Sequence, residues 1–477
     1  MVEVLLLCQA LIAGCYCVSV FRRSGRDIFQ HIYWLLAGYL GVYLIPLWSG
    51  REWIRERYTF STVILVYALP VMGLTLILLG YRFAVRRFAR AAPRRSERVI
   101  RAGAMARYGA FLCVLGVLGE AFVMRLAGGA ATYYSAARTT GAPEGTTAYI
   151  YDLRWLWTPG LAIMIGALVS FRKRSYFLTA GFFCILAFSY NLAVGQRSGV
   201  WIYSLLGLAL YQVWRRKRAS FTLVAGVGLA ALALLGFVGL TRGDFHIGSD
   251  FESVHNLLAE PLSEVAQDVL LMTVQDTDAS KRNSGAYVPG PDVRLYVDFL
   301  WLFPTTVNYD YGVFYAQFLV GWIPKALWPD RPDFRLEKKQ EVLAELGTCH
   351  ICSPSPTILG MYWMNGGLVG VCVLCLFTGA FFGLFDAYGR AGGFRSPVAT
   401  AVYLSIIGMA AKTPITVGPL GDFPFWGPFT VLPLLGLAMF RSRGRRRHRK
   451  DVEQTTISVR RGLASHSYPD QVAANGD

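Results

Sequence analysis

The sequence predicts an all-α polytopic membrane protein with about eleven transmembrane helices and one large external loop. Three observations predict it. Hydrophobic residues make up 54% of the 477 positions, and mean hydropathy is +0.40. Charged residues are only 16%, well below the roughly 25% usual in soluble domains. Apolar stretches of about 20 residues recur from end to end, the length that crosses roughly 30 Å of hydrocarbon. Backbone groups in lipid must be satisfied within the segment, which only helices and closed barrels achieve. These stretches are too long and too uniformly apolar for barrel strands.

In chain order the predicted spans are 3–20, 28–48, 61–80, 108–127, 155–171, 176–194, 199–213, 220–240, 366–387, 396–414 and 424–440. They divide the chain into a first membrane region (1–240), a large external loop (241–365), a second membrane region (366–440) and a tail (441–477). The tail opens with a basic run and then becomes polar and aperiodic, which predicts disorder. No cleavable signal peptide is expected, because the first positive cluster follows the first apolar run instead of preceding it.

Lysine and arginine in the short flanks set the orientation. The segment 82–107 holds nine arginines and a single acid, Glu97. Arg172–Arg174, Arg215–Arg218 and Arg441–Lys450 are also basic, and the span count places all of them on one side. That side is expected to be cytoplasmic, with the N-terminus outside and the C-terminus inside. The net charge of +17 is therefore a topology signal. Basic runs that alternate with spans do not form a nucleic-acid surface; they suit the anionic headgroups of membrane lipid.

The opposite face differs. Residues 241–356 contain nine Lys/Arg against sixteen Asp/Glu, more than half of the chain's acids. Loops of this length are usually functional or structured. Asp250–Val274 has apolar residues at helical spacing. Val293–Leu327 is aromatic and broken by Pro304 and Pro324, and is expected to lie on the membrane surface or re-enter it. Seven cysteines sit within the predicted spans and read as small apolar packing residues. Cys349 and Cys352 form the single loop pair; outside the cell a disulfide is favoured over an incomplete zinc set.

Three short segments carry a resemblance: Gly195–Gly199, Trp328–Pro332 within Gly321–Phe334, and Leu359–Gly370, with its Gly-x-Tyr-x-x-Asn-Gly-Gly-x-x-Gly pattern over Gly360–Gly370. With the plan of many spans, basic internal flanks and one external loop in the second half, they resemble the bacterial O-antigen polymerase (Wzy-type) family, the oligosaccharide repeat-unit polymerases. The resemblance implies a glycosyltransferase class C-like fold in the bacterial inner (plasma) membrane. It implies an enzyme that joins polyprenyl-pyrophosphate-linked oligosaccharide into O-antigen, capsule or exopolysaccharide, with no cofactor and with a chain-length regulator as a possible partner. An O-antigen ligase shares this plan, another lipid-linked transferase is a third reading, and a non-enzymatic polysaccharide or lipid transporter is the alternative outside enzymes.

Such chemistry needs cations for the departing pyrophosphate and a base for the acceptor hydroxyl. Arginine suits the first, since its fork matches phosphate oxygens and keeps its charge. The expected catalytic residues are Arg197 in a short glycine-flanked turn, Arg242 at the opening of the long loop, Arg331 between two prolines, the intramembrane acid Glu120, and His255 as a base near neutral pH. The expected substrate-binding residues are Arg125, Arg138, Tyr133, Tyr134 and Trp328, whose cations and rings suit phosphates and sugar faces. The bland alternatives are headgroup anchors for Arg197, an internal ion pair for Glu120 and Arg125, and a rigid turn for Arg331. Lys412 reads as a snorkelling anchor. No metal site is expected.

Overall fold

In a computed structural model the described residues are 1–23, 29–91, 102–126, 153–194, 197–217, 220, 222–224, 226–231, 291–315, 323, 328, 357–392, 396–416 and 418–437. Every regular element among them is a helix. In chain order these are α1 (Val2–Arg23), α2 (His31–Tyr39), α3 (Ile45–Ser49), α4 (Arg51–Arg57), α5 (Phe60–Ala91), α6 (Ala102–Leu126), α7 (Trp157–Ser170), α8 (Arg174–Val194), α9 (Arg197–Arg215), α10 (Pro291–Leu302), α11 (Thr357–Gly392), α12 (Pro397–Lys412) and α13 (Gly418–Gly436). A π turn over Leu40–Leu44 joins α2 to α3.

Seven segments among the described residues are long and apolar enough to cross a membrane: Val2–Arg22, His31–Ser49, Phe60–Phe88, Ala102–Phe122, Leu153–Ser170, Arg174–Leu192 and Thr357–Gly389. They match seven of the eleven predicted spans. Of the other four, 199–213, 396–414 and 424–440 coincide with the helices α9, α12 and α13. The fourth, 220–240, is represented by the short apolar helix Thr222–Ala231. Large apolar side chains are exposed on the outer faces, among them Leu7, Leu11, Phe111, Leu118, Phe182, Ile185 and Val373. In water such a surface would aggregate, whereas in a bilayer it meets lipid tails.

The boundary of the ninth predicted span is corrected. Helix begins at Thr357, nine residues before Gly366, because Ile358, Leu359, Met361, Tyr362, Trp363 and Met364 are all buried against neighbouring helices. The glycine pair at 366–367, where the predicted span begins, is a break inside the helix.

Small residues set the packing. A Cβ added to Gly80 would strike the backbone carbonyl of Leu376, and one added to Gly379 would strike that of Ile77. Gly383 likewise faces Tyr81. Close backbone approach through small residues four apart is the way apolar helices gain contact where no hydrophobic effect drives them together. The register runs 73 to 375, 77 to 379 and 81 to 383, so α5 and α11 are parallel. Helices α6 and α7 are antiparallel, with Gly109 on Gly160 and Gly116 on Trp157. Gly166 near the end of α7 meets both Met105 of α6 and Pro397 at the start of α12.

Two buried clusters follow. One joins α1, α2, α5, α10 and α11; the other joins α7, α8, α9 and α12. These contacts place the ends of α5, α7, α9 and α11 together with the starts of α6, α8 and α12. This is the arginine-rich end, carrying Arg82, Arg86, Arg87, Arg172, Arg174 and Arg215. The described residues of the basic flanks that the sequence assigned to one side lie at one end of the bundle; Arg441–Lys450 falls outside the described residues. Helix α10 lies at the other, the loop end, where Tyr296 donates to the Val66 carbonyl at 3.0 Å.

Candidate functional site

The site is built on the break in α11. Gly366 is extended (φ 170°), and Gly367 has φ 55° and ψ −137°, a combination open to glycine alone. A side chain is excluded there on a second count, since a Cβ on Gly367 would lie 2.7 Å from the Tyr309 hydroxyl. The break leaves a short upper half-helix, 357–365, in the loop-end half of the bundle, folded back beside a long one, 368–392, so that Leu359 and Cys375 both meet Gly73. Discontinuous membrane helices recur where substrates bind, because irregular backbone at that depth is tolerated only inside protein or beside a cavity.

The segment after α10 closes over the break. The Asp310 amide donates to the Met364 carbonyl at 2.9 Å, so one carbonyl of the upper half-helix is capped from outside the helix. The Asp310 carboxylate accepts from the Phe314 amide. Trp363 donates its indole N–H to the Phe303 carbonyl at 3.1 Å. Tyr309 stacks on Phe303 with ring centroids 6.3 Å apart and meets Trp363 edge-on at 6.2 Å. Tyr311 adds a fourth ring, 6.0 Å from Tyr309. The described part of the predicted surface-lying or re-entrant aromatic stretch, 293–315, is thus a helix and turn packed onto the loop-end half of α5 and α11.

Asn365 ends the upper half-helix. Its amide nitrogen donates to the Met361 carbonyl at 2.7 Å, which fixes the orientation of the amide. Its Oδ1 is buried and accepts no hydrogen bond among the described residues. Beneath it the Tyr362 hydroxyl lies 2.5 Å from Thr378 Oγ1. The Tyr362 ring packs where a side chain on Gly418 would sit, which ties α13 to the break.

A second polar contact lies at the same end. Tyr58, just past α4, donates to Asp298 of α10 at 2.5 Å. Burial pushes the Asp298 carboxyl above its ordinary value, against the pull of the Tyr58 bond and of Arg294 and Arg57. Burial, then the Asp298 charge, pushes the Tyr58 phenol well up. Tyr58 is therefore a fixed donor, and it anchors α10.

Few of the sequence-predicted site residues fall within this frame. Glu120 is 2% exposed, inside α6 one turn past Gly116. Arg125 is exposed at the end of the same helix, and it shares no stripe with Glu120. Arg197 begins α9 at the loop end; a Cβ on Gly199, two residues on, would strike the Asn191 side chain. Trp328 is 40% exposed. Tyr133, Tyr134, Arg138, Arg242, His255 and Arg331 lie outside the described residues, as do Cys349 and Cys352 and the amphipathic segment 250–274. Lys412 is placed with its Nζ 5.1 Å from the Trp155 ring, and Arg154 lies over the same ring at 5.4 Å. Among the described residues no group of three His, Cys, Asp or Glu is arranged to hold a metal.

Two ionisable side chains that the sequence reading did not select meet inside the bundle at the arginine-rich end. His31 of α2 and Asp386 of α11, 355 positions apart, meet at 2.5 Å with both side chains fully buried. Asp386 Oδ1 also accepts the His31 backbone amide at 3.1 Å, and its Oδ2 accepts the Tyr81 hydroxyl at 2.5 Å. His31 Nε2 faces the Tyr403 carbonyl at 3.0 Å. A carbonyl only accepts, so Nε2 carries a hydrogen. The His31–Asp386 contact joins α2, α5, α11 and α12. A signal for it existed in the sequence: Asp386 is the one charged residue in the predicted span 366–387, and His31 the one ionisable imidazole in 28–48.

No protein-family model, curated protein or solved structure matches this chain.

Proposed function

We propose that the chain is a membrane-embedded glycosyltransferase that polymerises lipid-pyrophosphate-linked oligosaccharide units into a surface polysaccharide. One observation carries this reading. The Gly360–Gly370 segment, one of the three that carry the resemblance to the O-antigen polymerases, forms a broken membrane helix whose break is covered by a wall of aromatic rings. Rings of this kind suit sugar faces, and a break in the helix at the loop end suits a substrate that arrives on a lipid.

In this reading the arginine-rich end faces the cytoplasm, the loop end faces outward, and the protein spans the bacterial inner membrane about eleven times in a class C-like arrangement. An acceptor hydroxyl attacks the anomeric carbon of the donor glycan. The bond from that carbon to the pyrophosphate oxygen breaks, the hydroxyl proton passes to a base, and polyprenyl pyrophosphate departs. Arg197, Arg242 and Arg331 are proposed for the pyrophosphate, Glu120 and His255 for proton transfer, and Arg125, Arg138, Tyr133, Tyr134 and Trp328 for the glycan and its lipid phosphate.

A second reading, a polysaccharide or lipid transporter, is favoured by the buried His31–Asp386 pair, since ionisable groups inside a membrane bundle mark transport and proton pathways. Deletion of the coding sequence separates the readings on a gel of surface glycan and lipid-linked intermediates. Collapse of a length ladder to single repeat units supports polymerisation. Full-length polymer left on its lipid assigns a ligase, and an unchanged ladder refutes both and favours transport.

A further inference from the structure

Two features beside the break in α11 go beyond its packing: an exposed ring and a buried acceptor. The first is Tyr311. It is 78% exposed and sits at φ 48°, a left-handed conformation unfavourable for a bulky aromatic residue. Gly312, with φ 89° and open space around it, would hold that conformation at no cost. The chain instead turns through two successive left-handed residues and presents a ring at the first. Strained conformations that persist are a pointer to function. The second is Asn365. It is 6% exposed, and its Oδ1 accepts no hydrogen bond among the described residues, an arrangement that is costly when left unfilled.

Tyr309 links the two. Its ring meets Tyr311, and its hydroxyl sits at Gly367, two residues from Asn365. Next to Asn365, the space where a side chain of Gly366 would project is open.

We propose that these residues form a subsite for one sugar ring of a glycan, stacked on Tyr311 and giving a hydroxyl hydrogen to Asn365 Oδ1. The proposal rests on the glycan reading above and names where a sugar is held. A flat apolar ring beside a lone buried acceptor matches a pyranose, which presents a C–H face and a rim of hydroxyl donors. A metal cation is the poorer match: a hydroxyl needs one acceptor, whereas hard cations take about six oxygens or more. The subsite is a binding site and takes no part in bond making.

The test uses the full-length protein in detergent, titrated with the producing strain's own surface polysaccharide after acid release from its lipid. Tryptophan fluorescence reports binding, because Trp363 packs on Tyr309. Tyr311→Phe keeps the ring and is expected to bind as the wild type does. Tyr311→Gly removes the ring and suits the backbone, so the protein folds, and it is expected to bind roughly tenfold more weakly, a change of about 1.4 kcal/mol. Asn365→Leu is expected to weaken binding by a similar factor. Wild-type binding by Tyr311→Gly overturns the proposal. So does a fluorescence change produced by sodium chloride and not by choline chloride that Asn365→Leu abolishes, which assigns Oδ1 to a cation. If deletion collapses the ladder and the wild type binds no saccharide, the subsite is refuted and polymerisation stands. If the saccharide binds with the expected variant pattern and deletion leaves the ladder unchanged, the subsite stands and polymerisation is refuted.

Discussion

Replacing Asp386 with alanine removes the acceptor of three hydrogen bonds at once: the His31 ring at 2.5 Å, the His31 amide at 3.1 Å and the Tyr81 hydroxyl at 2.5 Å. All three donors are buried, and each buried donor left unmade costs about 1–3 kcal/mol. Removing one member of a buried pair typically costs about 3–5 kcal/mol. The two estimates overlap, and about 4 kcal/mol is the expected loss for Asp386→Ala. Asp386→Asn keeps the volume and two acceptor positions and should lose about half of that, since it forfeits roughly one bond. His31→Ala leaves the Asp386 carboxylate with the Tyr81 bond and the residue-31 amide but no imidazole, a loss of similar size. The double variant removes both costly groups together. Its total should fall short of the sum of the singles by at least about 2 kcal/mol, the coupling expected of residues in one network. Thermal unfolding of the four detergent-purified proteins at one scan rate measures the order, because membrane proteins of this size commonly unfold irreversibly and only matched conditions compare. Strictly additive effects would refute the reasoning, for the pair would then not act as a unit.

Three further outcomes follow from other contacts. Gly379→Val drives a branched side chain into the Ile77 carbonyl and should lower stability by about 1–3 kcal/mol, seen as loss of monodisperse protein in size-exclusion chromatography. Asp298 has a raised carboxyl, so the folded state holds its proton at pH values where the unfolded chain has released it. Stability contributed there should fall as pH rises from 3.8 through the raised value. Melting temperatures of wild type and Asp298→Asn across that range check the sign: the variant should lose the dependence, and Tyr58→Phe should extend it upward by removing the bond that lowers Asp298. Arg197→Ala and Arg331→Ala should each abolish polymer while membrane expression persists, read on the glycan gel; normal ladders from both would sink the arginine assignment.

Several features of the bundle were legible along the chain. Helices α1, α5 and α8 follow from uninterrupted apolar runs, since a backbone in lipid has one unbroken way to satisfy its polar groups. Glycine at 366–367 was visible, and the predicted span begins there, because a local pattern shows an interruption and not that a helix precedes it. What showed otherwise was the burial of Tyr362, Trp363 and Met364 against partners as distant as Phe303 and Thr378. The aromatic richness of 293–327 was evident, but which rings face one another depends on the approach of α10 to α5 through Tyr296 and Val66. Of the residues chosen for chemistry, Glu120 could be recognised as buried because an acid inside an apolar run is costly. Asn365 and Tyr311 could not be singled out, since an unfilled acceptor and a positive φ are properties of position, not of residue type.

By itself, then, the sequence determined an all-helical membrane protein whose arginine-rich flanks share one end. Hydropathy and charge act span by span, and the bilayer reads them without reference to the neighbours. Only the tertiary structure decided that His31 pairs with Asp386, that Gly379 rests on Ile77, and that Tyr309 closes over Gly367. Each of these joins segments tens to hundreds of positions apart. Such contacts are selected by the complementarity of two surfaces, and no periodicity within either segment encodes it.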